Sequence, residues 1–370
     1  MKDFVKQIAS KAALFYLPPL LVFVVGMYLT WCSIYYINAY HRFEKGTLFA
    51  NDASLRVDKV KEAVLNHVAV ISQFRNYFIS ANSIDHQEFS SFAAPILEKY
   101  PGIKRIEWIP RVLDHERPIY EAESPFTERD TSGKLSHANS RKEYFPIYYV
   151  EPMEWEQEVA GYDLGSDANL RKALFLIAKT GKNFAVPVVP MQTSKELKLK
   201  TPANTLSSEL HIFAPIYLNQ DEERESQFIE TNEGPAIILV QGFVRVVLDV
   251  KQIVNSTLFP LYPRHIDISI EDLAANKPSS LVYYYSRQSS TPVPDIAQLY
   301  QDSKQMLYAD IIHVLGRTWQ ITCISYDPVY SPHTRRHDWF VLSVGVGLTL
   351  SVCAYLCLLT HAYRKKLTRP

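Results

Sequence analysis

Leu14–Ile37 reads LFYLPPLLVFVVGMYLTWCSIYYI, and no charged side chain occurs between Ala12 and Ile37. At ~1.5 Å per residue, a helix of that length crosses the hydrocarbon core of a bilayer. Pro18 and Pro19 fall near the start of the run, where a helix tolerates proline best. Trp31, Tyr35 and Tyr36 gather at its far end, as an interfacial aromatic belt does. A second run, Trp339–Leu359, is equally free of charge and also opens on an aromatic residue.

The flanks orient the two runs. Lys2, Lys6 and Lys11 precede the first, and Arg364, Lys365, Lys366 and Arg369 follow the second. The positive-inside rule then places both ends in the cytoplasm and the roughly 300 intervening residues outside. A cleaved signal peptide is the alternative for the first run. Its length, and the lack of a small-x-small cleavage pattern before Asn38, speak against that. The expected organisation is a cytoplasmic N-terminus (1–11), a transmembrane helix (12–37) and a stalk helix (38–82). Two outer subdomains (83–255 and 256–330), a second transmembrane helix (339–360) and a cytoplasmic tail (361–370) follow. The tail is too short for an output domain, so the sequence is expected to be the input half of a longer protein.

Composition narrows the classes. Lys+Arg and Asp+Glu both number 39 in 370 residues, a balance that argues against nucleic acid as the main partner. Apolar residues make up 47%, enough for a buried core. Cys32, Cys353 and Cys357 fall within the spans, which leaves Cys323 alone outside and no disulfide in the outer region. No Gly-x-Ser-x-Gly elbow, P-loop, dinucleotide-binding glycine fingerprint or His-Glu-x-x-His occurs, so an enzyme is not expected, nor is a cofactor. His333 and His337 have metal-like i, i+4 spacing but no third ligand nearby, and no metal site is read from them. Asn255-Ser256-Thr257 is a glycosylation sequon only in a host with an endoplasmic reticulum.

Within the outer region, Val57, Val60, Val64, His67, Ile71, Phe74 and Phe78 recur close to a heptad seam, so Asn51–Ser80 is expected as one long helix. It either packs on its own domain or also pairs with a second copy. Asp85-His86-Gln87-Glu88 has the form of a capping box for a helix running to Tyr100, which Pro101-Gly102 ends. Strands are expected at Arg105–Val112, Tyr144–Val150, Phe184–Met191, Leu210–Leu218 and Ala236–Val250, all rich in Val, Ile and Tyr. Ser166 is the expected N-cap of a helix whose stripe is Leu170, Ala173, Leu174 and Ile177, with Gly181 ending it. Further strands are expected at His265–Ile270, Leu281–Tyr285 and Arg317–Tyr326. This order is α+β, with two antiparallel sheets beside a long helix.

The blocks Ile106–Val112 (IEWIPRV), Glu143–Pro152 (EYFPIYYVEP) and Gly161–Leu164 (GYDL), with Arg171 and Ala173, occur in a fixed order. Ala178-x-Thr180-Gly181, Ala214–Tyr217 (APIY) and Gly316–Trp319 (GRTW) continue it. Together they resemble the CHASE family of extracytoplasmic sensor domains, over about residues 60–326. The resemblance implies a stalk helix followed by two PAS-like sheets, the distal one holding a small ligand. It also implies an input module, without catalysis of its own, for a histidine kinase of a two-component system or for a cyclic-di-GMP cyclase or phosphodiesterase. A homodimer in a bacterial inner (cell) membrane, with the sensor region in the periplasm or extracellular, is the corresponding setting. A ligand-free scaffold or adhesion domain is the alternative.

By the same resemblance the ligand site would draw on Trp108, Lys142, Tyr144, Tyr148, Tyr162, Asp163, Pro187 and Pro215. Aromatic walls with a few polar tips suit a flat ligand such as a purine. Any of these residues could instead be sheet core, and Asp163 could merely support the helix start. One departure concerns plant cytokinin receptors, which place an acid immediately before the Glu-Tyr pair to bind adenine. Here that position is Lys142, whose ammonium has no acceptor for an exocyclic amine. Arg111 and Arg171 are expected to form ion pairs. Ser343, Gly347 and Ser351 place small residues on one face of the second span, toward lipid or a second copy.

Overall fold

A computed structural model describes residues 2–80, 85–130, 133–186, 209–217, 240–261, 266–274, 281–285, 306–325 and 335–367. By their internal contacts the residues fall into two units. One comprises residues 1–52, 297–306 and 325–370, and the other 53–296 and 307–324. Pro187, the acidic segment 219–233 and His333 lie outside the described residues, as does the side chain of His337.

Helix α1 spans Lys2–Ser80, and α7, the last helix, spans Arg335–Leu367. Because α1 begins at Lys2, Pro18 and Pro19 sit inside it and not in its first turn, each removing one backbone donor. In the first unit α1 and α7 touch through small residues. A Cβ at Gly26 would lie 2.6 Å from Thr349, and one at Gly345 would lie 2.5 Å from Thr30. Each threonine hydroxyl is turned onto its own helix, Thr30 Oγ1 to Gly26 O and Thr349 Oγ1 to Gly345 O, both at 2.8 Å. The contact face of α7 is thus Gly345–Thr349. On the Ser343–Gly347–Ser351 stripe, both serine hydroxyls bond carbonyls of α7, and nothing lies within 4 Å of a Cβ at Gly347.

The second unit opens with the remainder of α1, whose apolar seam is buried in its own unit: Val57, Val60, Val64, Ile71, Phe74 and Phe78. Burying each such side chain contributes about 1.5–3 kcal/mol, which fixes the helix on the domain. Helix α2 (His86–Lys99) begins at the expected cap, Asp85 accepting from Glu88 N at 2.7 Å, and Tyr100 closes it. Strand β1 (Ile103–Pro110) is followed, after a break at Arg111, by the short β2 (Val112–Leu113). Helix α3 (Arg117–Glu121) and the hairpin β3 (Thr127–Arg129) and β4 (Leu135–His137) have no counterpart in the sequence reading. The stretch Tyr144–Val150 is not one strand. It divides into β5 (Glu143–Tyr144), paired with β2, and β6 (Tyr149–Glu151), paired with β1. Pro146, which lacks an N–H, stands between them.

Helix α4 (Glu156–Val159) and a 3-10 turn at Leu164–Ser166 lead into α5 (Ala168–Thr180). The cap of α5 is Asp167 and not Ser166, which belongs to the turn; the Asp167 carboxylate accepts from the N–H groups of Asn169 and Leu170. Gly181, at φ +66°, ends α5 where only glycine is at ease. Strands β7 (Phe184–Val186), β8 (Glu209–Tyr217) and β9 (Val240–Asp249) complete an antiparallel sheet ordered β6-β1-β9-β8-β7. Val250 starts a helix, α6 (Val250–Leu258), capped by Asp249, where the sequence suggested continued strand. Strands β10 (Ile266–Asp272), β11 (Leu281–Tyr285), β12 (Met306–Val314) and β13 (Arg317–Ser325) form a second sheet ordered β11-β10-β13-β12. Strand β12 was not expected, since polar residues interrupt its alternation. The two sheets meet where the β12–β13 turn, with Leu315 at φ 43°, accepts from Ala185 N at 3.0 Å through the Leu315 carbonyl.

Candidate functional site

The five-stranded sheet buries both faces. One face carries Trp108, whose indole stacks on Phe78 of α1 at 5.1 Å. The opposite face carries Phe213 and Phe243, packed with Phe145, Leu174 and Ile177 beneath α5; Tyr162 and Tyr217 lie at the margin of that cluster. Pro215 pairs in register with Phe243, so it faces α5, whereas Trp108 pairs with Val244 and faces α1. Trp108 is therefore on the opposite side of the sheet from Pro215.

Tyr144 and Asp163 anchor the segment above that second face. The Tyr144 hydroxyl donates to Asp114 Oδ1 at 2.9 Å and accepts from Arg117 Nη1 at 3.0 Å and from Arg141 N at 2.8 Å. One donor and two lone pairs are all a hydroxyl has, so Tyr144 is saturated by its own domain. Asp163 is 0% exposed. Its Oδ1 accepts from Phe145 N (2.8 Å) and Gly165 N (2.9 Å), and its Oδ2 from Arg141 Nη1 (2.7 Å). Burial pushes the Asp163 carboxyl upward, and the backbone donors and Arg141 pull it part of the way back. Arg141 also pairs with Glu128, which Asn139 bonds as well. Both candidates thus hold the loop in place, and Arg141, which the sequence reading passed over, is its hub.

The remaining candidates are more open. Tyr148 is half-buried, donates to Glu123 Oε2 at 2.6 Å, and meets Tyr120 edge-on at 5.0 Å. Burial pushes its phenol upward, and Glu123 adds to the effect. Lys142 is exposed. Arg111 pairs with Glu143 at 2.6 Å, as expected of it. Asn255 of the sequon accepts from the Tyr283 hydroxyl at 2.6 Å.

A second polar group was not foreseen. Glu107, 0% exposed, accepts from Arg105 Nε at 2.7 Å and pairs with Arg245 across β1 and β9. Glu209 joins Lys104 and lies 3.2 Å from His211 Nε2. Burial would raise the Glu209 carboxyl, but His211, Arg105 and Lys104 outweigh it and hold the group well below the carboxylate range. Burial lowers His211, keeping its imidazole neutral. The Arg105 guanidinium and the Lys104 ammonium lie over the Trp155 ring at 5.1 and 4.7 Å. The signal for this lattice was the alternation of Arg105 and Glu107 within an apolar strand.

The first sheet thus has an aromatic face, closed by a loop held through buried ion pairs. The family model of the CHASE domain matches residues 82–283, more than half of the chain, and the chain belongs to that family. The outer region is accordingly a sensor module. The Gly316–Trp319 block lies beyond the matched range. The chain is 22% identical over 259 residues to hybrid signal transduction histidine kinase A of Dictyostelium discoideum, covering 65% of this chain and 11% of that protein. It thus spans about a tenth of the length of that relative. Among solved structures it is similar to the ligand-binding domain of the Pseudomonas aeruginosa PAO1 amino acid chemoreceptor PctC in complex with GABA. There the TM-score is 0.41 at 10% identity, covering 75% of this chain and 98% of that one. It is also similar to the periplasmic sensory domain of the Campylobacter jejuni chemoreceptor Tlp1, with TM-score 0.40 at 10% identity, covering 77% and 94%.

Proposed function

We propose that this protein is the input module of a transmembrane receptor, which binds a small flat ligand outside the cytoplasm and passes the signal to a histidine kinase or cyclic-di-GMP output. The observation that carries the reading is the CHASE match at residues 82–283, flanked by two helices long and apolar enough to cross a membrane. A PAS-like layout for each sheet fits the antiparallel order and the placement of α5 on one face of the first sheet. The ligand would lie against Phe213, Pro215 and Phe243, with Tyr162 and Tyr148 nearby. Tyr144 and Asp163 would position the loop above it. Binding would bias two packings of this sheet, and α1 and α7 would carry the shift inward, in a homodimer.

The test is mass spectrometry of small molecules released from the purified protein, joined to a thermal-shift screen of purines, amino acids and organic acids. A specific compound that raises the melting temperature, and does so less in Phe243→Ala, supports the reading. An empty protein with no shift across the panel would favour the ligand-free scaffold.

A further inference from the structure

Strand β7 closes one edge of the five-stranded sheet, and that edge carries a bond to the other sheet. Ala185 sits opposite Ile212 of β8, while its N–H points away from β8 and donates to the Leu315 carbonyl of the β12–β13 turn at 3.0 Å. The same turn meets the Phe184 side chain. A Cβ at Gly316 would lie 2.4 Å from that ring, so glycine is what lets the ring come this close. Phe184 also sits opposite Phe213 and packs against the core beneath α5 that includes Phe145, Phe213 and Phe243. One ring thus touches both the α5 face of the first sheet and the turn of the second. Asn183, one residue earlier, donates from Nδ2 to Ser72 Oγ of α1 at 3.2 Å. Lys182 alone separates it from Gly181, where α5 ends.

The turn is strained where it is held. Leu315 and Gly316 have φ of 43° and 86°, and a two-residue hairpin turn of type I′ demands two such positive values. Asparagine, aspartate or glycine ordinarily fills the first place, because a side chain as bulky as leucine is crowded in the left-handed region. Among the described residues no other non-glycine residue has a positive φ. Strain of this kind persists where the surroundings impose it, and here the Ala185 N–H and the Phe184 ring do so.

We infer that Phe184 and the Leu315–Gly316 turn form the joint through which the first sheet sets the packing of the second. Phe184 is a positioning residue that acts through the turn. When the core beneath α5 shifts, the Phe184 ring shifts with it, and the Ala185 bond to Leu315 follows. With that hold slackened, the turn leaves its strained form, and β12 and β13 loosen. What moves the core rests on the ligand face proposed above; the joint itself stands without a ligand.

The experiment follows amide hydrogen exchange in the whole chain in detergent micelles, with no ligand added, so that failure to find a ligand leaves it intact. Phe175→Leu thins the same core from the α5 side. In the native background it should quicken exchange in residues 306–325, which hold β12 and β13, by about threefold or more, the lower end of couplings between groups in contact. Ala185→Pro deletes an N–H that the β7–β8 ladder does not use. In that background Phe175→Leu should still quicken exchange in β8 and β9 but leave residues 306–325 unchanged. Phe184→Ala, which keeps the backbone bond, supplies the same comparison should the proline variant fail to fold. Adding Leu315→Asn to either variant should restore slow exchange in residues 306–325, since asparagine suits the turn unaided. An effect of Phe175→Leu on residues 306–325 that is absent in the native background, or equal in both backgrounds, would overturn the inference. Exchange that stays fast after Leu315→Asn would overturn it too.

Discussion

Replacing Arg141 by Met removes the cation that, among the described residues, joins Asp163 and Glu128, two carboxylates that are both buried. Methionine keeps the length of the side chain and lacks the charge, so the loss is electrostatic first. Asp163 retains its two backbone donors but faces the interior with no countercharge. Breaking a buried pair from one side costs about 3–5 kcal/mol. At about 2–4 °C per kcal/mol for a domain of this size, the melting temperature at pH 7.5 should fall by about 6–20 °C. The loss should also depend on pH, and the sign is definite. Burial already raises the folded-state pKa of Asp163 above its unfolded value. Its contribution to stability is therefore full below the unfolded pKa and is lost as pH rises through the folded one. Without Arg141 the folded value climbs further, so the deficit of the variant should shrink as pH falls from 7.5 toward 5. The assay is urea unfolding followed by tryptophan fluorescence at several pH values, together with Asp163→Asn and the double variant. The double variant should recover much of the loss, with a coupling of about 2 kcal/mol or more. A cost under about 1 kcal/mol at pH 7.5, or one that ignores pH, would refute the view that Arg141 is the electrostatic hub of this loop.

Three further outcomes follow from other residues. Tyr144→Phe deletes the hydroxyl shared by Asp114, Arg117 and the Arg141 amide, and should cost about 1–3 kcal/mol by urea unfolding. His67 bonds the Ala63 carbonyl at 2.7 Å through Nδ1, while its buried Nε2 has no partner among the described residues, and burial lowers its pKa. Its contribution is then present above the unfolded pKa near 6.5 and lost as pH falls through the lower folded value. Melting should drop on acidification in wild type and less so in His67→Gln. Burial pushes the Cys323 thiol up to about 12, so Cys323 should resist maleimide at pH 8 until urea unfolds the domain.

Much of this protein was legible residue by residue. The charge-free runs, the seam Val57–Phe78, the Asp85 cap and the Gly181 stop all rest on interactions within a few residues, which sequence spacing records directly. The resemblance of ordered blocks was legible too, because each block keeps its residues together. What spacing could not record was which distant residues meet. Arg245 reaches Glu107 across 138 positions, and Arg141 reaches Asp163 across 22. Nothing local to either arginine distinguishes it from one on the surface. The same holds for Trp108, an aromatic in an apolar strand that could have faced either side. Only the pairing of β1 with β9 turned it toward α1 and left Pro215 and Phe243 to face α5. Strand alternation is a local property, but the choice of which face is covered by which helix is not. The sequence therefore determined the long helices, the two apolar runs and the class of domain. The tertiary structure decided the buried ion pairs and the two sides of each sheet, because both depend on chain segments far apart that only folding brings together.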